Sequence, residues 1–139
     1  MAFHPYLYFN GNCREAFTRY QEIFGGELTI MTGHDTPPDA GIPENKMDVV
    51  IHAALMNDGE LLMASDSFED DFAGPNDGIF VHYSTTDLGR AKSIFADLSD
   101  GGTVYMDGHE EFWTPFFGIV KDAFGIPWQI SVEAEANAG

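Results

Sequence analysis

The pattern of apolar and polar positions predicts short strands around two amphipathic helices. The first helix is predicted over residues 12–24, with Asn12 as its N-cap and Gly25-Gly26 after its last turn. The second is predicted over residues 88–98, with Asp87 as its N-cap. Alternating or continuous apolar segments predict strands at residues 4–9, 27–32, 47–56, 60–65, 79–84, 103–106, 116–121 and 127–132.

The second half of the chain repeats the order of elements in the first half. Asn12 has its counterpart about 75 positions later in Asp87, and the two hairpin turns align on Gly59 and Gly125. A repeated supersecondary unit buries its apolar face against its copy. We therefore predict an α+β fold of two βαβββ modules, at about 3–67 and 78–132. They would form one domain over residues 1–132, followed by a flexible acidic tail at 133–139.

The composition excludes several functions. The chain has 23 acidic and 6 basic residues and a net charge of −17, so it would repel the phosphates of nucleic acids. No apolar segment reaches the roughly 20 residues of a membrane-spanning helix. The single cysteine, Cys13, cannot form an internal disulfide. We expect a cytoplasmic protein that binds neither nucleic acid nor membrane.

Three motifs, in order, resemble a known family. They are PYLYFNGNCREAFTRYQEIFGGEL near the start, LMASDS in the middle, and EFW followed by DAFGIPWQISV near the end. Together they resemble the PhnB-like branch of the vicinal oxygen chelate superfamily, which includes glyoxalase I, bleomycin-resistance proteins and extradiol dioxygenases. The resemblance implies modules that form a curved-sheet cleft, and a homodimer. PhnB-like proteins often carry a methyltransferase label, which we discount because no glycine-rich turn follows a strand in a parallel βαβ context.

The resemblance also implies where a metal would bind. Metal-using members of the superfamily take their ligands from the first and last strands of each module. The helix and turn alignments carry these positions to Pro5, Met63, Phe80 and Gln129. Proline and phenylalanine have no ligating side chain, methionine suits soft metals, and an amide binds zinc, nickel or iron weakly. We therefore expect no divalent metal and no cofactor.

Candidate ligand-binding residues follow from strand faces and aromatic positions. His82 lies on the same face of its strand as Phe80 and, with Gln129, would be a polar anchor. Trp113 and His109 both lie in predicted loops. Trp113 would line the cleft or cover a dimer interface. Asp66 has two interpretations, a base at the cleft rim or a strand-end turn residue bonded to the backbone. The full candidate set is His82, Gln129, Trp113, Phe117, Met63, Phe80 and Asp66.

Three functions are compatible with these features. One is a binding protein that holds a small, partly apolar molecule in its cleft without the usual metal. The second is a lyase, isomerase or dioxygenase. It would use either a displaced metal site built from His82, Asp66 and Gln129, or only acid–base groups. The third is a structural or interaction protein with a closed cleft. No catalytic residue is assigned, because no Ser-His-Asp or Cys-His arrangement is evident from local sequence.

Overall fold

Strands and helices alternate in the order expected for a duplicated unit. The structure is a computed structural model and describes residues 3–67 and 78–133. The first copy comprises β1 (Tyr6–Phe9), α1 (Cys13–Phe24), β2 (Glu27–Thr32), β3 (Val50–Asn57) and β4 (Glu60–Asp66). The second comprises β5 (Val81–Thr85), α2 (Leu88–Ser99), β6 (Thr103–Glu111), β7 (Thr114–Lys121) and β8 (Pro127–Val132). The predicted α+β fold with two βαβββ modules is confirmed.

Each copy forms one mixed four-stranded sheet. The strand orders are β1-β4-β3-β2 and β5-β8-β7-β6. In both sheets the first strand is parallel to the last, and the remaining pairs are antiparallel. The chain divides into two compact units at 1–73 and 74–139, so each unit contains one sheet and one helix.

In the first unit, α1 covers one face of its sheet with aromatic side chains. Phe17 meets Phe9 of β1 edge to face, with ring centroids 6.1 Å apart, and it meets Tyr20 at 5.4 Å. All three side chains are buried. Tyr6 and Tyr8 lie on the opposite face of β1 and are about half exposed. Burial of one face alone explains the alternation of exposed and buried residues along β1.

In the second unit, α2 packs on the corresponding face. The ring of Phe95 lies over Gly118 of β7, where a Cβ would overlap it, and meets Phe116 edge to face at 5.7 Å. Trp128 and Ile130 of β8 are buried on this side. The face turned away from α2, here called the open face, carries the residues at alternate positions. They are His82, Ser84, Phe117, Ile119, Gln129 and Ser131.

One element differs clearly from its prediction. The strand predicted at 103–106 extends to Glu111, and residues 107–111 were expected to form a loop because they are polar and include Gly108. β6 is an edge strand, and its pairing with β7 shifts register at three points. Edge strands tolerate charged residues and bulges, since one side of the strand needs no partner. His109 therefore lies on a strand and not in a loop.

Two predicted segments fall outside the described residues. These are most of the segment between the modules, at 68–77, and the acidic tail beyond Glu133. In the described part of the chain, neither helix is long and apolar enough to cross a membrane.

Candidate functional site

The parallel pairing of β5 with β8 brings a histidine, an amide and a hydroxyl together. His82 stands beside Gln129 in the register of the two strands. Its Nδ1 lies 3.1 Å from Gln129 Oε1, and its Nε2 lies 3.0 Å from Ser131 Oγ. An amide oxygen can only accept, so Nδ1 carries the hydrogen and the Nε2 of the neutral ring accepts from Ser131. These bonds fix both the orientation and the tautomer of the imidazole.

The three side chains differ in exposure. Ser131 is only 3% exposed, Gln129 is half-buried and His82 is exposed. In residues 3–67 and 78–133, no acceptor is bonded to the amide nitrogen of Gln129. The cluster therefore offers that N–H group as a donor, next to an imidazole held at the surface.

An aromatic pair adjoins this polar cluster. Trp113 lies in the turn between β6 and β7, as predicted, and its ring meets Phe117 at 5.1 Å and 61°. Phe117 is the cross-strand neighbour of Ser131 on the open face. Trp113 remains 52% exposed. Polar and apolar contact groups therefore lie on neighbouring strands of the same face.

A second histidine stands at the outer edge of this face. His109 is the cross-strand neighbour of Phe117. Its Nε2 lies 2.7 Å from Glu111 Oε1, and its Nδ1 lies 2.9 Å from the Asp107 carbonyl oxygen. Both partners accept, so the geometry favours the ring with two N–H groups. The Asp107 carbonyl, followed by the Glu111 carboxylate, raises the pKa of His109 above its ordinary value.

Sequence reasoning missed the His109–Glu111 pair because it placed both residues in a loop. The available signal was their spacing of two residues, which puts both on one face of a strand. That signal is useful only once residues 107–111 are assigned to a strand.

The register of the first strands corrects the alignment used to locate metal-ligand positions. Tyr6 stands beside Met63, and His82 stands beside Gln129, so these replace Pro5 and Phe80 as equivalent positions. Phe80 precedes β5, which begins at Val81. The connection from strand to helix is one residue longer in the first copy. A helix-based alignment is therefore shifted by one residue in the strand, which moves a side chain to the other face.

Met63 lies on the face of the first sheet opposite α1, beside a tyrosine–histidine contact. The hydroxyl of Tyr6 is 3.4 Å from His52 Nδ1, and the two rings are 6.0 Å apart. Met63 is half-buried there. The structure therefore places Met63 in the first unit and His82, Gln129, Trp113 and Phe117 in the second.

Asp66 is bonded to the backbone, as its interpretation as a strand-end turn residue predicts. It is 3% exposed. Its Oδ1 accepts from the backbone N–H groups of Gly11 and Cys13 at 3.0 and 2.9 Å, and its Oδ2 accepts from Val50 N at 3.2 Å. Both oxygens are thus engaged at the start of α1.

The Asp66 carboxylate makes the capping bond at the start of α1 that was predicted for Asn12. Asn12 stands at the N-cap position of α1, but its side chain makes no capping bond.

Burial, and then the nearby charge of Asp66, raises the pKa of the Cys13 thiol to about 12. A thiol that stays protonated is a poor nucleophile, so Cys13 is a packing residue.

The described residues lack a grouped set of metal-binding side chains. Within residues 3–67 and 78–133, no three His, Cys, Asp or Glu side chains are grouped so that they could hold one metal ion.

Comparison with known proteins identifies the class and the family. The two βαβββ modules are those of the vicinal oxygen chelate, or glyoxalase/bleomycin-resistance, superfamily, in its PhnB-like branch. The family described as 3-demethylubiquinone-9 3-methyltransferase matches residues 1–131, and the chain belongs to it. The methyltransferase in that description is the label that the family carries. That this chain lacks methyltransferase activity stays a prediction.

Individual relatives agree with this assignment. Protein YjdN of Escherichia coli (strain K12) is 29% identical over 144 residues, which covers 95% of each chain. The crystal structure of protein PA1353 from Pseudomonas aeruginosa has a TM-score of 0.87 and 34% identity, and covers 96% of this chain and 98% of that one. The PhnB protein from Bacillus cereus has a TM-score of 0.76 and 22% identity, with 95% and 99% covered, and shows the shared fold alone.

Proposed function

We propose that this protein binds a small, partly apolar molecule on the open face of the second sheet, without a divalent metal. The observation that carries the proposal is the fixed His82–Gln129 pair next to the Trp113–Phe117 pair. Small-molecule sites combine apolar and aromatic walls with a few placed polar groups. The same four residues were the core of the candidate set derived from the sequence.

The chemistry of the face indicates the kind of ligand. The N–H group of Gln129 suits a carbonyl or ether oxygen, and the Trp113 ring suits a flat apolar group. The net charge of −17 disfavours anions through the field of the whole molecule. We therefore expect a neutral ligand that has an acceptor oxygen attached to an apolar ring.

Tryptophan fluorescence tests this proposal. Trp113 is half exposed, whereas Trp128 is buried and bonds Asp122 through its indole N–H at 2.9 Å. Benzamide, acetophenone and cyclohexanone should each be titrated to about 50 mM, several times the dissociation constant of about 10 mM expected for fragments of this size. We expect saturable quenching for at least one of the three.

Two variants assign that signal to the face. Trp113→Phe should abolish it, and Gln129→Ala should weaken binding about tenfold, since one hydrogen bond to the ligand is lost. Absence of saturation with all three probes contradicts the proposal and favours a structural or interaction protein. Saturation that survives Trp113→Phe and Gln129→Ala contradicts the location.

A metal-dependent enzyme is the second candidate, because His82 pairs with Gln129, a position at which the family resemblance implies a ligand. Elemental analysis of protein purified without chelators separates the two candidates. We expect less than stoichiometric zinc, nickel, iron and manganese, because one imidazole and one amide hold these ions weakly. Stoichiometric metal that disappears in His82→Ala would establish the metal-dependent alternative.

A further inference from the structure

Ser131, His82 and Gln129 have the geometry of a nucleophile, a base and an orienting group. The Ser131 hydroxyl lies 3.0 Å from His82 Nε2, and the opposite ring nitrogen lies 3.1 Å from Gln129 Oε1. Both distances are within the reach of a working proton relay. The arrangement is not evident from the sequence, because 49 positions separate His82 from Ser131 and only strand pairing joins them.

We propose that the second unit transfers small acyl groups through Ser131. Nucleophile–base pairs are recognised by geometry and by the roles of their members, and they occur on unrelated folds. Here the acceptor on Nδ1 is a neutral amide instead of a carboxylate. It selects the tautomer in which Nε2 is free to take a proton, but it stabilises the protonated ring less than a carboxylate would.

The reaction is balanced with an ester and water. The Ser131 Oγ–H bond breaks, its proton moves to His82 Nε2, and Oγ forms a bond to the acyl carbon. The carbon–oxygen bond to the alcohol then breaks, and the alcohol leaves with the proton from Nε2. Water attacks the acyl carbon of the acyl-serine and gives a proton to Nε2. The bond between Oγ and the acyl carbon then breaks, and Nε2 returns the proton to Oγ. A carboxylic acid is released and the serine is restored.

Burial limits the size of the acyl group. Ser131 is 3% exposed, whereas its partner His82 is exposed. Only a small acyl group, of about the size of an acetyl, fits against a hydroxyl so enclosed. The neighbouring Phe117 is an apolar, half-buried side chain and suits contact with the apolar part of an ester.

The test uses p-nitrophenyl acetate, a small activated ester, and the full-length protein. After an acid quench, peptide mapping should locate an acetyl group on Ser131. The release of p-nitrophenolate should fall about 100-fold in both Ser131→Ala and His82→Ala, as expected when a general base is lost. The mapping needs only the wild-type protein, so it decides the question even if a variant folds poorly.

Three further variants separate the relay from a structural effect. Ser99→Ala is the control, because this serine lies at the end of α2, away from the open face, and donates to the Phe95 carbonyl oxygen at 2.7 Å; it should keep the wild-type rate. Gln129→Leu should lower kcat, because the ring loses its orienting acceptor. Gln129→Glu should restore kcat and move the rate–pH profile to higher pH, because a carboxylate stabilises the protonated ring.

Other results would overturn the proposal. Wild-type protein without acetyl-Ser131, or equal rates in wild type and Ser131→Ala, excludes Ser131 as the nucleophile. An unchanged pH profile in Gln129→Glu excludes the positioning role of Gln129. The fluorescence titration of Trp113 reports ligand binding independently. Fragment binding without acetylation would therefore reject the acyl transfer while leaving the proposed binding function in place.

Discussion

Two buried carboxylates organise the turns of this chain at the residue scale. Asp66 accepts from three backbone N–H groups around the start of α1. Asp122 accepts from the backbone of Phe124 and Ile126 and from the indole of Trp128, each at 2.9 Å. A buried donor without an acceptor is costly, so each carboxylate stabilises the fold by completing these bonds.

The first prediction concerns Asp66. Asp66→Ala would leave three backbone donors without their acceptor and should lower the free energy of unfolding by about 3 kcal/mol. Asp87→Ala is the control, since Asp87 caps α2 through a single bond to Arg90 N at an exposed site and should cost about 1 kcal/mol. Urea unfolding followed by circular dichroism measures both values. Equal losses of unfolding free energy in the two variants would contradict the capping role of Asp66 at the start of α1.

The second prediction concerns the titration of His109. Its pKa is raised above the ordinary value of 6.5 by the Asp107 carbonyl and by Glu111. The folded state therefore binds the proton more tightly than the unfolded state does. This contribution to stability is fully present below the ordinary value and is lost as the pH rises through the raised pKa.

Nuclear magnetic resonance of the imidazole ring tests this cause. Glu111→Gln should move the His109 midpoint to lower pH, because an amide replaces the charged acceptor. Glu110→Gln removes the same charge one residue away, where the side chain is not bonded to His109, and should move it less. A midpoint unaffected by Glu111→Gln would show that the 2.7 Å contact does not form in solution.

At the scale of elements, a pair of glycines ends each helix in a similar way. Gly26 has a φ of +99°, and a Cβ there would overlap the carbonyl oxygen of Met56 on β3. In the second unit, a Cβ on Gly102 would overlap the carbonyl oxygen of Lys121 on β7. In both units the second glycine lets the helix exit lie directly against the hairpin, and this explains why the Gly-Gly pair recurs.

The third prediction separates that contact from backbone conformation. Gly25 also has a positive φ, +79°, but no heavy atom would lie within 4 Å of its Cβ. Gly25→Ala should therefore cost about 1–3 kcal/mol through strain alone. Gly26→Ala should cost at least about 2 kcal/mol more, because the backbone of β3 must move. Urea unfolding of the two variants side by side measures both losses of unfolding free energy. Equal losses would contradict the close contact between Gly26 and β3.

The sequence predicted elements better than contacts. The bounds of β2 and β8 agree with their predictions, and each helix agrees within one residue. Local periodicity and glycine stops determine these elements. The extension of β6, the cap from Asp66 and the His82–Ser131 bond depend instead on pairing between strands distant in sequence. The connection from strand to helix also differs by one residue between the copies, which a helix-based alignment cannot reveal.

At the scale of the whole molecule, sheet edges and net charge act in opposite directions on assembly. β6 is an edge strand of its sheet and exposes Val104, Tyr105 and Met106 by 40–55%. Exposed apolar edge strands favour association. A net charge of −17 on each chain opposes it through repulsion. We therefore expect the homodimer implied by the family resemblance to depend on ionic strength.

The last prediction follows from that balance. Light scattering at micromolar concentration and about 0.15 M salt should give a mass near twice the 15.3 kDa of one chain. At low salt the mass should fall toward one chain, because screening of the repulsion is lost. Met106→Glu, which puts another negative charge on the exposed edge, should weaken the dimer, whereas Ala96→Glu adds the same charge at an exposed position of α2 and should weaken it less. A mass of 15.3 kDa at every salt concentration would contradict the dimer, and equal effects of the two variants would remove β6 from its interface.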